Sequence, residues 1–208
     1  MPGPEYDIRH QTRHSRKPRH GLSDGQLNRR TANAARRRHQ APHGSQEKRE
    51  GWTILDTLPG PIVDYVGNCN DLSFLPDESC SEVYASHVLE HLGYNGEIQR
   101  TIKGIYRVLK PGGRLRASVP DLETLCRLFL HPSLDGPRRF HVMRMMFGGR
   151  INEYDVHYVG LTFEFLGQYM HEAGFRDIRR VAEFGVFNDT SKLMFGDVPI
   201  SFNVEAWK

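Results

Sequence analysis

Apolar positions along this chain follow two periods, and they change from one to the other several times. Gly51–Asp56 (GWTILD), Ile62–Val66 (IVDYV) and Glu82–Ser86 (EVYAS) are short runs rich in β-branched and aromatic residues, with Pro59-Gly60-Pro61 and Asp77-Glu78-Ser79 as breaks between them. From Asn95 or Gly96 to Leu109 the period becomes helical. Ile98, Ile102, Ile105 and Leu109 recur at i, i+4, i+7 and i+11 and form one stripe. Pro111-Gly112-Gly113 stops that helix, and Arg114–Val119 (RLRASV) returns to an extended pattern. Pro120-Asp121 opens a second helix, which runs to Leu130. Phe140–Phe147 is a Met-rich helical patch, and Thr162–Ala173 is a further helix capped by Gly174. Ile178–Glu183 and Ile200–Ala206 close the chain as strands. The last alternates cleanly, with Ile200, Phe202, Val204 and Ala206 on one face. Strands alternating with helices predict an α/β layered domain with a largely parallel sheet, and the hairpin-like ending predicts an antiparallel edge strand.

Residues 1–43 show neither period. Tyr6, Ile8, Leu22 and Leu27 stand alone among Arg, His, Pro and Ala. Such a segment buries too little surface to offset its ordering entropy, so a disordered tail is expected there. Charge sharpens the boundary. Residues 1–50 hold 12 Lys/Arg against 5 Asp/Glu, whereas the rest of the chain holds 16 against 20. The division expected is a basic tail over 1–43 and a mildly acidic domain over 44–208. A basic arm can bind nucleic acid, although no aromatic residues alternate with its charges as a base-stacking platform requires. The chain shows no apolar run long enough to span a bilayer and no signal-peptide core. Three cysteines without a CxxC pair argue against a disulfide framework or a zinc site and fit a reducing cytoplasm.

The chemistry lies in an ordered run of segments: Leu72-Ser73-Phe74, Pro76-Asp77, Tyr84 through Leu92 (YASHVLEHL), and Val108-Leu109-Lys110-Pro111-Gly112-Gly113. In that order and at those separations it resembles the methyltransferase type 11 family of class I S-adenosylmethionine-dependent enzymes. The resemblance runs from about Gly44 to the C-terminus. It implies a Rossmann-like methyltransferase sheet with flanking helices, S-adenosylmethionine as cofactor, and methyl transfer to a small-molecule or sugar-like acceptor, with Leu122–Val159 covering the acceptor.

On that pattern Gly44 is the last glycine of the cofactor loop, and Asp56, ending its strand, accepts the ribose hydroxyls. Asn68 and Cys69 stand where an Asp and a small residue serve the adenine, and Leu72 packs around it. Asn keeps a carbonyl acceptor but loses the charge. Ser86 ends the strand beside the reacting methyl. His87 is the candidate general base, because imidazole titrates near neutrality, and His157 is the second candidate. His87 and His91 have the i, i+4 spacing of metal ligands, but HExxH is absent and no third ligand is evident, so no metal is expected.

The family's first motif, an apolar strand followed by a glycine loop, is missing: nothing in residues 1–43 supplies it. The expected sheet therefore lacks a normal first strand, with residues 1–43 arising from a shifted reading frame or a mis-set start. Two other readings stay open. One is a pseudoenzyme that has lost cofactor binding, and the other is a nucleic-acid-binding protein that uses the tail.

Overall fold

The computed structural model describes the backbone of Glu5–Arg9 and all of residues 48–208. Among these described residues, nine strands and four helices follow in the order β1 (Glu5–Arg9), β2 (Trp52–Asp56), β3 (Tyr65–Val66), β4 (Cys80–Ser86), α1 (Glu97–Val108), β5 (Leu109–Pro120), α2 (Leu122–Leu130), α3 (Gly136–Phe147), α4 (Phe163–Ala173), β6 (Arg176–Val181), β7 (Met194–Phe195), β8 (Val198–Pro199) and β9 (Ser201–Trp207). Seven strands form one sheet in the order β3-β2-β1-β4-β5-β9-β6. The pairings are parallel from β3 to β5, and β9 runs antiparallel to both of its neighbours. This is the Rossmann-like architecture expected from the sequence.

Two expectations need correction. The antiparallel strand is internal: β9 lies between β5 and β6, and β6 forms the edge. The central slot is also filled. Glu5–Arg9 pairs in parallel with β2 on one side and β4 on the other, Arg9 opposite Asp56 and Ile8 opposite Ala85. An empty slot would leave the hydrogen-bonding edges of β2 and β4 unpaired, and a five-residue segment suffices to satisfy both. The pattern Glu-Tyr-Asp-Ile-Arg has a period of two but only two apolar members, too few to separate it from its surroundings. It is still not the apolar run with a glycine loop that the resemblance calls for. The expectations about tail disorder and a missing glycine loop otherwise fall on residues outside those described.

The sheet has two unlike faces. Val83 and Ala85 of β4, Leu115, Ala117 and Val119 of β5, and Phe202, Val204 and Ala206 of β9 all point to one side. They meet the stripe Ile98, Ile102, Ile105 and Val108 of α1, together with Leu166 and Met170 of α4. Each of those four α1 side chains is fully buried, which contributes about 1.5–3 kcal/mol apiece. α4 ends at Gly174, whose φ of 108° is a left-handed cap and whose missing Cβ makes room for the Tyr106 ring.

The opposite face is largely polar. Glu82, Arg114, Arg116 and Glu205 form a cross-strand ladder: Arg114 Nε lies 3.0 Å from Glu82, and Arg116 bridges Glu82 at 2.7 Å and Glu205 at 2.8 Å. Beside it Trp52, Tyr84 and Phe187 make a small aromatic cluster. A third cluster joins Leu125 of α2, Val142 of α3 and Ile200, with Leu193 and Phe195 packed on it.

β5 starts directly after α1, and the expected Pro111-Gly112-Gly113 break is absorbed as an irregularity within the strand. The register with β4 shifts between Cys80 and Glu82, and Gly112 has a φ of 76°.

Candidate functional site

In parallel sheets of this kind, ligands sit beyond the C-terminal ends of the strands, near the point where the strand order reverses. Here that edge is formed by Arg9, Asp56, Val66, Ser86 and Pro120. Asp56 is buried, with 1% exposure, and its Oδ1 accepts the Leu58 N–H at 2.8 Å. Its carbonyl accepts the Gly67 N–H at 2.9 Å. The carboxylate is therefore fixed at the end of β2, next to the end of the central strand.

Asn68 is exposed past the end of β3, and its Oδ1 accepts the Asn70 N–H at 3.0 Å. Cys69 is buried, and burial pushes its thiol up to about 12, so it stays protonated. Leu72 lies in the main core against the Gly104 side of α1, and its carbonyl accepts Arg107 Nη2 at 2.7 Å. Of the adenine candidates, then, only Asn68 faces solvent, together with a neighbouring ring pair, Tyr65 and Phe74, with centroids 5.0 Å apart. Gly44 lies outside the described residues.

Ser86 ends β4 with its Oγ 3.2 Å from Thr190 Oγ1. Next to it, His87 adopts a φ of 54° and donates its N–H to the Ser118 carbonyl at 2.8 Å. Its Nε2 lies 2.7 Å from Ser201 Oγ on β9. Burial drives its pKa down to about 3, with a further push from His157 and a smaller opposing pull from Asp189. His87 is thus a neutral imidazole throughout the physiological range, and a weak base. Its Nδ1 is 3.5 Å from Glu90 Oε1. Burial, followed by the charge of Asp155, raises Glu90 to about 8. The two therefore face each other as neutral groups and do not form an ion pair.

His87 and His91 do not share a helix face. Only Leu89–His91 is helical, as a single tight turn, and His87 precedes it at the strand end. His91 instead meets His157, whose ring centroid is 4.9 Å away. Sequence reading also missed the strap that covers the polar face. Asp189 accepts Tyr84 Oη at 2.7 Å and the Ser191 N–H at 2.9 Å. The signal was the Asn188-Asp189-Thr190-Ser191 run, whose short polar side chains favour such turns.

Residues 29–117 match the family model described as a methyltransferase domain. Over those residues the chain is similar to that family. The match begins upstream of Gly44. No curated protein matches the chain.

Among solved structures, a possible exported protein from Bordetella parapertussis aligns over 76% of this chain and 54% of its own, at 15% identity and a TM-score of 0.50. A SAM-dependent methyltransferase from Archaeoglobus fulgidus aligns over 76% of both chains at 15% identity and a TM-score of 0.49. A SAM-dependent methyltransferase, possible histamine N-methyltransferase, from Thermotoga maritima gives 17% identity, 76% and 65% coverage and a TM-score of 0.43. The chain spans less than two thirds of the length of the Thermotoga and Bordetella proteins. Identities this low speak to fold alone. Among the described residues, no helix is long and apolar enough to cross a membrane.

Proposed function

We propose that this chain transfers a methyl group from S-adenosylmethionine to a small-molecule or sugar-like acceptor. The observation that carries the reading is Asp56: a buried carboxylate, oriented by the Leu58 N–H, at the end of the strand beside the central one. The donor set fits the cofactor. A carboxylate accepts two vicinal hydroxyls, and the exposed Asn68 amide offers an acceptor to an exocyclic amine.

When bound, the cofactor supplies an electrophilic methyl, and that transfer is already downhill. What remains for the protein is alignment and removal of one proton. At the end of β4, Ser86 meets Thr190 and His87 is held by Ser201, and this reading puts the acceptor on that side. His87 at about 3 orients better than it deprotonates. His87 and His157 are the proposed acceptor-side residues, with His87 in the positioning role. Three free cysteines support a reducing, cytoplasmic setting.

Calorimetric titration of the full chain with S-adenosylmethionine tests this. Micromolar binding is expected, weakened about 10- to 100-fold in Asp56→Ala, as loss of a charged hydrogen-bond acceptor implies. A folded chain that does not bind would overturn the enzyme reading in favour of a scaffold without cofactor. That alternative draws its support from Asn68 standing where the resemblance expects a carboxylate. The nucleic-acid reading rests on the tail, which lies largely outside the described residues.

A further inference from the structure

The turn after β4 and the loop before α4 bring together Glu90, His91 and His157. One ligand-type atom from each lies within 4.8 Å of the other two. We propose that these three residues bind a divalent transition metal of the zinc class.

The Glu90 carboxyl group is 1% exposed, and neither oxygen has a hydrogen-bond partner among the described residues. A buried carboxyl with nothing to satisfy it is costly unless something else engages it. A cation is the group that the neighbouring side chains can also hold.

The His91 ring is oriented by the backbone. Its Nδ1 lies 3.0 Å from the Val156 carbonyl, and a carbonyl only accepts, so Nδ1 carries the hydrogen. Nε2 is then the nitrogen able to ligate, the usual way an outer partner sets a metal-binding imidazole.

Backbone hydrogen bonds hold the two segments together. The N–H groups of Tyr158 and Val159 both donate to the Glu90 carbonyl, at 2.9 and 3.4 Å. Together with the His91–Val156 contact they pin the His157 loop to the Leu89–His91 turn, so the donors from two distant segments are placed by backbone geometry. Asp155, also buried, adds negative potential nearby.

Two imidazoles and one carboxylate form a three-ligand set that suits zinc and leaves a fourth position open. Metal–ligand bonds of about 2.0–2.2 Å require the three donors to draw in modestly from their present spacing. His87, whose Nδ1 is 3.5 Å from Glu90 Oε1, stands beside this set. The metal site itself does not depend on the proposed methyl transfer. HxxxH spacing on a helix is not involved; the third ligand comes from a loop 66 positions beyond His91.

The test uses the full chain and cobalt(II), a spectroscopic stand-in for zinc. Imidazole is a general metal ligand and the tail holds His10, His14, His20, His39 and His43, so a second chain with all five replaced by Ala is titrated in parallel. The expected result is a tetrahedral visible band in both chains, bleached by one equivalent of zinc. His157→Ala should weaken zinc binding at least about a hundredfold. His157→Cys keeps a ligand and should add a thiolate-to-cobalt charge-transfer band, a signature that mere damage to the fold cannot produce. The proposal is overturned if the tail replacement abolishes the band, or if a folded His157→Cys chain shows no charge-transfer band.

Discussion

Side-chain surroundings, more than side-chain type, decide reactivity in this protein. Cys69 is buried with its thiol pushed up to about 12, and Cys80 is buried with its thiol also raised by desolvation, whereas Cys126 on α2 is exposed. Only a thiolate attacks an alkylating reagent. Native protein treated briefly with iodoacetamide should therefore carry one adduct, on Cys126, and mass spectrometry of the digested protein reads this directly. Rapid labelling of Cys69 would mean that the β3–β4 connection opens readily. The same contrast governs the histidines. The sequence marked His87 as a base from its residue type and its place in the motif. Burial then takes away most of its basicity, and no sequence pattern reports burial by partners more than a hundred residues away, such as Ser201. The place of Asp56 at a strand end was legible because ending a strand is a local property. The place of Leu72 in the main core was not, because pocket and core both call for a leucine.

Among the elements, periodicity located most helices and strands, and the misplacements have local causes. α3 begins at Gly136, ahead of the apolar patch that announced it, because Asp135 caps it by accepting the Arg138 N–H and Pro137 suits the first turn. β6 begins two residues early, at Arg176, since an exposed edge strand needs no apolar alternation. The end of α3 is the most constrained point. Gly148 has a φ of 87°, and a Cβ there would sit 2.6 Å from the Asp155 carbonyl oxygen and 3.0 Å from Val156 Cα. Both obstacles are backbone, so the loop carrying Asp155 and His157 would have to move. Gly148→Ala should destabilise the protein by about 1–3 kcal/mol. A denaturant titration would show this as a lower midpoint with an unchanged slope. An unchanged midpoint would mean that the 149–157 loop is softer than its hydrogen bonds suggest.

For the molecule as a whole, the sheet order depends on a strand that the sequence concealed. β1 carries both the β2 and the β4 pairings, so without it β2 and β3 lose their connection to the rest of the sheet. A chain lacking residues 1–9 should lose its cooperative thermal transition, followed by circular dichroism. A sharp transition at an unchanged midpoint would show that Glu5–Arg9 contributes nothing to the fold. The α/β class, the parallel core and the helical face were legible from periodicity and from the ordered motifs together. The central strand was not, because its evidence is the gap it fills, a property of its neighbours.

The two-faced sheet has a consequence for how errors are refused. Along β4, β5 and β9, one set of positions is oily and the alternate set carries the Glu82–Arg114–Arg116–Glu205 ladder. A shift of any of these strands by one residue would drive a guanidinium or carboxylate beneath α1 and turn valines and alanines toward the face that carries the charged ladder. Mispaired arrangements are thus penalised on both sides at once. The ladder works as a proofreader, adding little to the depth of the correct state while making the neighbouring wrong ones shallow.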